Sequence, residues 1–296
     1  MRIAITGASG LIGSALGRSL ERDGHQVVKI VRRDGVPGAV RWDIGRGEID
    51  AAGLEGLHAV VHLAGEGIGD KRWRPEQKRR ILESRTKGTA LLTGALAGLV
   101  DKPPVLVSGS AVGYYGNRGD EQLTEASDPG TGFLSEVAVA WEAATAPAVA
   151  AGIRVAKIRT GIVLDRDGGA LAKMASIAKL GLLGKLGSGR QWMSWITLAD
   201  EVRAIRFLID TDIAGPVNLT APTPVTNAVF TKALGRVLHR PTAIPVPAFG
   251  PKLLLGGELA TALLLDGQRA LPDVLLEAGF EFEQAEVEAA MAAVLS

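Results

Sequence analysis

The chain has 296 residues, with 33 Lys and Arg against 32 Asp and Glu, so a formal net charge of +1 offers no basic surface for nucleic acid or for a membrane. Hydrophobic residues make up 47% and charged residues 22%, a globular composition with enough apolar mass for a sizeable core. The absence of cysteine excludes disulfides, thiolate-bound zinc, iron–sulfur clusters and a thiol nucleophile, so any redox chemistry must come from a bound cofactor.

Residues 2–6 read as a β-strand. A Gly-rich turn follows, and then Leu11, Ile12, Ala15, Leu16 and Leu20 recur at helical spacing up to Asp23-Gly24, where the helix should stop. Residues 26–31 read as a second strand, which completes one strand-helix-strand unit of about 30 residues. Further strands are expected at 58–63, 105–107 and 153–158, and helices at 75–99 and 133–150, the latter bent or frayed by Pro147. Strands alternating with helices, and strands that are almost continuously apolar, predict an α/β fold with a doubly wound parallel sheet of Rossmann type, buried on both faces.

Beyond about residue 164 the strands weaken and Gly/Pro punctuation thickens, at Asp167-Gly-Gly, 184–189, Thr220-Ala-Pro-Thr-Pro and Ile244-Pro-Val-Pro. A smaller C-terminal α/β lobe is expected there, with a helix at 199–208 returning to the first lobe. The expected division is residues 1–165 with about 196–212 as the cofactor-binding domain, and 166–195 with 213–296 as a substrate lobe. No signal-like segment precedes the first strand, and the apolar stretches at 91–100 and 253–265 fall short of the roughly 18 residues that a spanning helix needs. A cytoplasmic protein is therefore expected.

The turn Gly7-Ala-Ser9-Gly10-Leu11-Ile12-Gly13 places Gly at positions one, four and seven between a strand and a helix. Gly7 suits the tight turn, Gly10 the approach of a pyrophosphate and Gly13 the packing of helix on sheet, while free amides at the helix start attract phosphate. Arg32 stands 19 residues beyond Gly13 and Arg33 follows it, where an NAD-selective site commonly carries an acid that binds the ribose 2′-hydroxyl. Arginine there favours the 2′-phosphate of NADP over NAD. Solvated loop charges are the other reading of Arg32 and Arg33, and Asp34 remains available to the ribose.

Thr6-Gly-Ala-Ser-Gly-Leu-Ile-Gly13, Trp42-Asp43-Ile44, His62-Leu63-Ala64-Gly65 and Val107-Ser108-Gly-Ser110-Ala-Val-Gly-Tyr114-Tyr115-Gly116 together resemble the extended short-chain dehydrogenase/reductase superfamily, in its nucleotide-sugar epimerase/dehydratase group. Lys78-Arg-Arg-Ile-Leu-Glu-Ser-Arg85, Arg159-Thr-Gly-Ile-Val-Leu164, Gln191-Trp192-Met-Ser-Trp195-Ile196 and Gly267-Gln-Arg-Ala-Leu-Pro272 resemble an atypical branch of it known as epimerase family proteins. The resemblance covers essentially the whole chain. It implies that Asp43 contacts adenine, a turn-capping role being the alternative, and that Leu63, Ala64 and Gly65 pass beneath the cofactor. Ser108 is grouped with these cofactor-binding residues.

The superfamily's chemistry implies a Ser that orients the substrate oxygen, a Tyr that exchanges its proton and a Lys four residues after that Tyr. Ser110 is the counterpart of the Ser. The expected place for the Tyr and Lys reads Gly132-Phe-Leu-Ser-Glu-Val-Ala-Val-Ala-Trp-Glu142, with neither, and the chain has only two tyrosines, Tyr114 and Tyr115. These two are candidates for proton transfer, for packing on substrate or nicotinamide, or for a structural corner. Arg85 stands where extended members carry an Asn, and its planar fork suits a cofactor phosphate or an anionic substrate. The second lobe contributes Gln191, Trp192 and Trp195 after a Gly-rich loop able to close over a cleft, as substrate-lining or packing residues. The four histidines show no metal-ligand spacing, no metal site is expected, and His62 reads as a core residue. The expected partner is a small-molecule substrate, and nothing in the residues indicates an oligomer.

Overall fold

The central sheet of the computed structural model, which describes residues 1–179, 181, 183–242 and 245–296, has eight strands. Ile244 of the expected Pro-rich punctuation lies outside the described residues. In chain order the first part runs β1 Arg2–Thr6, α1 Leu11–Arg22, β2 Gln26–Val31, β3 Val40–Asp43, β4 Glu48–Ile49, β5 Ala59–His62, α2 Pro75–Ala97, β6 Val105–Ala111, β7 Gln122–Leu123, α3 Phe133–Ala143, α4 Ala146–Ala150 and β8 Arg154–Thr160. The second part runs β9 Ile162–Leu164, α5 Gly169–Lys179, β10 Trp192–Met193, β11 Trp195–Thr197, α6 Leu198–Asp210, β12 Gly215–Leu219, β13 Val225–Thr226, α7 Asn227–Val237, α8 Phe249–Leu255, α9 Gly257–Ala260, β14 Arg269–Ala270, α10 Asp273–Glu277 and α11 Val287–Leu295.

The sheet order is β12-β8-β6-β5-β1-β2-β3-β4, parallel throughout except for the antiparallel edge pair β3 and β4. From β1 the chain steps outward through β2 and β3, then returns to lay β5 on the other side of β1. The strand order therefore reverses between β1 and β5, and in open sheets ligands bind outside the carboxyl ends of the strands at that switch point. Side chains alternate across the sheet: Ile3, Ile5, Val61 and Val107 pack on Leu16 and Leu20 of α1 and Val202, Ile205 and Leu208 of α6. Ala4, Val28, Val60 and Leu106 pack on Leu92 and Leu96 of α2. Helices cover both faces, which is why the strands read as continuous apolar runs.

The helix expected at 133–150 is two helices, because Thr145 turns its hydroxyl onto the Glu142 carbonyl and Pro147 occupies the first turn of α4, where its missing amide is tolerated. The expected return to the first lobe is made by α6, which is capped by Thr197 and packs against α1. It is followed by β12, which pairs with β8 at the edge of the central sheet. Residues 215–219 thus lie within the main sheet, beyond the boundary expected near 212. A separate core of Leu164, Leu171, Trp195, Phe230, Leu234 and Met291 joins α5, α7 and α11. Among the described residues no helix is long and apolar enough to cross a membrane, and no group of three or more acidic or histidine side chains is placed to hold a metal ion.

Candidate functional site

The glycine turn opens at the switch point. Gly7 has φ +68°, and a Cβ built on it would lie 3.0 Å from the Leu63 carbonyl carbon and 3.1 Å from the Ala64 nitrogen, so the turn rests on the loop after β5. A Cβ on Gly13 would come 2.3 Å from the Gly7 oxygen, which holds α1 against the strand end only while residue 13 is glycine. Gly10 caps α1 without a side chain, and no acidic residue stands in the first turn. The first helical bond runs from the Ser14 amide to the Gly10 oxygen, so the amides of Leu11, Ile12 and Gly13 have no acceptor within the helix. Beside exposed Ser9, these donors and the positive end of the helix dipole make a donor set that fits a pyrophosphate.

Beneath the turn, Thr6 ties the two loops together. Its Oγ1 accepts from the amides of Leu63 (3.0 Å) and Ala64 (3.1 Å), which leaves its own proton for His62 Nδ1 at 2.7 Å. His62 Nε2 must then carry the proton and donate to Thr89 Oγ1 at 2.9 Å. Burial, helped by the Arg85 charge, lowers its pKa to about 4. His62 is the satisfied core residue expected.

Arg85 is buried and lies directly beneath Gly65, whose built Cβ would sit 3.1 Å from the guanidinium carbon. Its Nη1 donates to the carbonyls of Glu66 (3.0 Å) and Ile81 (3.1 Å), and the guanidinium lies 5.0 Å from the Trp141 ring centroid. Burial lowers its pKa to about 10, with Glu66 acting in the opposite direction. Arg85 therefore clamps the loop that passes beneath the crevice, a different task from the free phosphate ligand expected. Ser108 is fully buried in β6 with no partner for its hydroxyl among the described protein atoms.

At the outer end of the crevice, Arg32 and Arg33 are exposed beyond β2. Asp43, at the end of β3, accepts the Arg46 amide on Oδ1 at 3.1 Å, the turn-capping alternative, while Oδ2 stays 3.8 Å from Arg41 and 3.7 Å from Arg46.

The three residues expected to carry catalysis occupy different environments. Ser110 donates its hydroxyl to Glu142 Oε1 at 2.7 Å. Arg159 meets the same carboxylate through two bonds and reaches Tyr115 Oη from Nη1 at 3.0 Å. Tyr115 donates to Asn218 Oδ1 at 2.7 Å, and the Asn218 amide donates to Glu125 Oε1 at 2.9 Å. Burial works against the Arg159 charge, but Glu142 and Tyr115 outweigh it and hold its pKa above the ordinary value. Burial also raises the Tyr115 phenol to about 12, against the pull of Arg159. Tyr115 is wholly inaccessible, so it is a structural corner and not a proton shuttle. Ser110 is 6% exposed with its proton committed to Glu142, which corrects its reading as a polarising donor. Tyr114 is half-buried, its ring covered by the Arg159 guanidinium at 3.4 Å, with no side-chain hydrogen bond among the described residues.

In the second lobe, Gln191 Nε2 donates to the carbonyls of Leu186 (3.2 Å) and Leu264 (2.8 Å). Trp192 is half-buried; its Nε1 donates to Asp120 at 2.8 Å, and Arg269 lies 4.3 Å from its ring centroid. Trp195 is fully buried and donates to the Thr223 carbonyl at 3.1 Å, so it belongs to the core and not to a substrate wall. The preceding Gly-rich loop is laced down: the Ala228 amide donates to the Gly189 oxygen, the Asn227 amide to the Gln191 oxygen and the Gly187 amide to the Val246 oxygen. That bonding holds the loop in place, in contrast to the freely closing flap expected from its glycines. Glu142, Glu125, Arg159, Asn218 and Thr6 were not among the expected site residues; Arg159 and Thr6 stand inside recognisable motifs, whereas nothing local marks Asn218.

Residues 3–219 match the model of the NAD dependent epimerase/dehydratase family, and residues 246–294 match a domain of unknown function, DUF1731. An epimerase family protein of Mycobacterium bovis is 46% identical over 282 residues, spanning 95% of this chain and 93% of its own. The crystal structure of the human epimerase family protein SDR39U1 with NADPH is similar at TM-score 0.90 and 31% identity, covering 100% of this chain and 99% of that one. A nucleoside-diphosphate sugar epimerase from Corynebacterium glutamicum is similar at TM-score 0.82 and 38% identity, this chain spanning 58% of it. With the glycine turn at the switch point of a Rossmann-type sheet, these matches make the chain a member of the NAD dependent epimerase/dehydratase family, within the short-chain dehydrogenase/reductase superfamily.

Proposed function

We propose that this chain binds NADP in preference to NAD in the crevice between the glycine turn and the loop after β5, and acts as an oxidoreductase or epimerase on a small or nucleotide-linked substrate. The observation that carries this reading is the set of unpartnered first-turn amides of α1 at the switch point, with arginines and no free acid where β2 ends. A relative of the same length, solved with NADPH, supports it. Gly7, Gly10 and Gly13 admit the pyrophosphate, Arg32 and Arg33 face the 2′-phosphate, and Leu63, Ala64 and Gly65 form the floor held by Thr6 and Arg85. The cofactor, when bound, supplies hydride exchange at its nicotinamide.

The substrate lies between the two lobes, against Tyr114, Gln191 and Trp192. Of the three catalytic candidates, Ser110, Tyr114 and Tyr115, Tyr114 is the one whose hydroxyl has no partner among the described residues, and it exchanges the substrate proton. A second reading, a cofactor-binding regulatory protein without turnover, is favoured by the commitment of both Ser110 and Tyr115 to buried partners. The two are separated by following NADPH absorbance with a panel of ketones and, because an epimerase returns its hydride and consumes no cofactor, by following the appearance of epimerised product from nucleotide sugars. Turnover in either assay that Tyr114→Phe abolishes supports the enzyme, and NADPH binding with turnover in neither supports the regulator.

A further inference from the structure

We infer that Arg41 tilts the choice between NADP and NAD by pairing with Asp34 beside the cofactor site, an inference that rests on the proposed binding crevice. Register puts Arg41 of β3 beside Val31, the last residue of β2, so it stands next to the Arg32-Arg33-Asp34 run. Arg41 and Asp43 alternate with buried Val40 and Trp42 and share one face of β3. Three carboxylates surround the Arg41 guanidinium: Asp34 makes a close ion pair with Nε, Asp43 Oδ2 lies 3.8 Å from Nη2, and Glu48 Oε2 lies 3.7 Å from Nη1.

The sequence leaves Asp34 as an acid available to a ribose 2′-hydroxyl, the group by which such sites select NAD and repel a 2′-phosphate. The ion pair changes that role. Paired with Arg41, the Asp34 carboxylate, itself 80% exposed, presents a partly neutralised charge to a phosphate. Arg41, 38% exposed, keeps the fork geometry to add to Arg32 and Arg33 as a phosphate ligand once Asp34 releases it. The pair thus works as a counterweight: Asp34 free favours NAD, Arg41 free favours NADP, and the two bound to each other leave the decision to Arg32 and Arg33.

The test is a set of NADPH and NADH dissociation constants for the full chain, read by calorimetry at about pH 7.5, where a 2′-phosphate is close to dianionic. Arg41→Ala should lower the NADPH-over-NADH affinity ratio about tenfold, by losing a cation and freeing Asp34. Asp34→Asn should raise the ratio several-fold, and the double variant should recover most of the ratio lost in Arg41→Ala. An unchanged ratio in Asp34→Asn, or a double variant no better than Arg41→Ala, overturns the inference. A wild type that binds both cofactors equally contradicts the NADP preference instead, and a chain that binds neither contradicts the crevice.

Discussion

Arg159 holds Glu142 through two hydrogen bonds, Nε to Oε1 at 2.8 Å and Nη2 to Oε2 at 3.1 Å, with side chains only 3% and 9% exposed. The pair joins β8 to α3, and Ser110 of β6 donates to the same carboxylate. Removing one member of a buried pair leaves an uncompensated charge, which typically destabilises by about 3–5 kcal/mol. Glu142→Ala and Arg159→Ala should each lower the unfolding free energy read from urea melts by that order, with a matching fall in midpoint, while Ser110→Ala, which removes one donor, should cost about 1–2 kcal/mol. Equal midpoints for the three variants would contradict the network.

The two adjacent tyrosines should behave oppositely. Tyr115→Phe should destabilise by about 1–3 kcal/mol, since it strands the buried groups that meet its hydroxyl, while Tyr114→Phe should leave stability near wild type. Tyr115 is protonated in the fold with its pKa pushed up to about 12, above the unfolded value near 10. Its contribution is therefore complete below pH 10 and lost as pH rises towards about 12. Ultraviolet titration of Tyr114→Phe, which isolates Tyr115, should show no phenolate until well above pH 10.

Glu201 in α6 is fully buried; its Oε1 accepts from Thr160 at 2.9 Å and its Oε2 has no partner among the described residues. Burial raises its pKa to about 8, against the Thr160 bond that lowers it. A carboxyl protonated in the fold and ionised in the unfolded chain makes stability greatest below pH 4.5 and falling as pH rises to about 8. Denaturant melts across that window should show this fall, and Glu201→Gln should flatten it by an amount on the order of a few kcal/mol.

The parallel sheet and the glycine turn were legible because both are written locally. The apolar runs of β1, β5 and β6 and the three spaced glycines each sit within a few residues. The catalytic reading was not, because it depends on contacts made across long separations: Ser110 with Glu142, and Tyr115 with Asn218, 103 positions away. Nothing in Tyr114-Tyr115 says which ring turns inward; the tight turn at Val112–Tyr115 sends one into the core and leaves the other at its edge. Trp195 follows the same logic, since its pairing with Ile162 places it inside, while Trp192 pairs with Thr226 and stays half-buried. The glycines at 184–189 predict a freedom that the fold removes, because glycine content signals permitted conformations and not the hydrogen bonds that tie them down.

The crevice itself is tested most directly by calorimetric titration of NADPH into the wild-type chain and into Gly13→Ala, whose added Cβ would meet the Gly7 oxygen at 2.3 Å. The account predicts one saturable NADPH site per chain in the wild type, and its loss or at least a roughly hundredfold weakening in a Gly13→Ala protein that still shows native circular dichroism. No NADPH or NADH binding by the wild type, or equal binding by the folded variant, would contradict it.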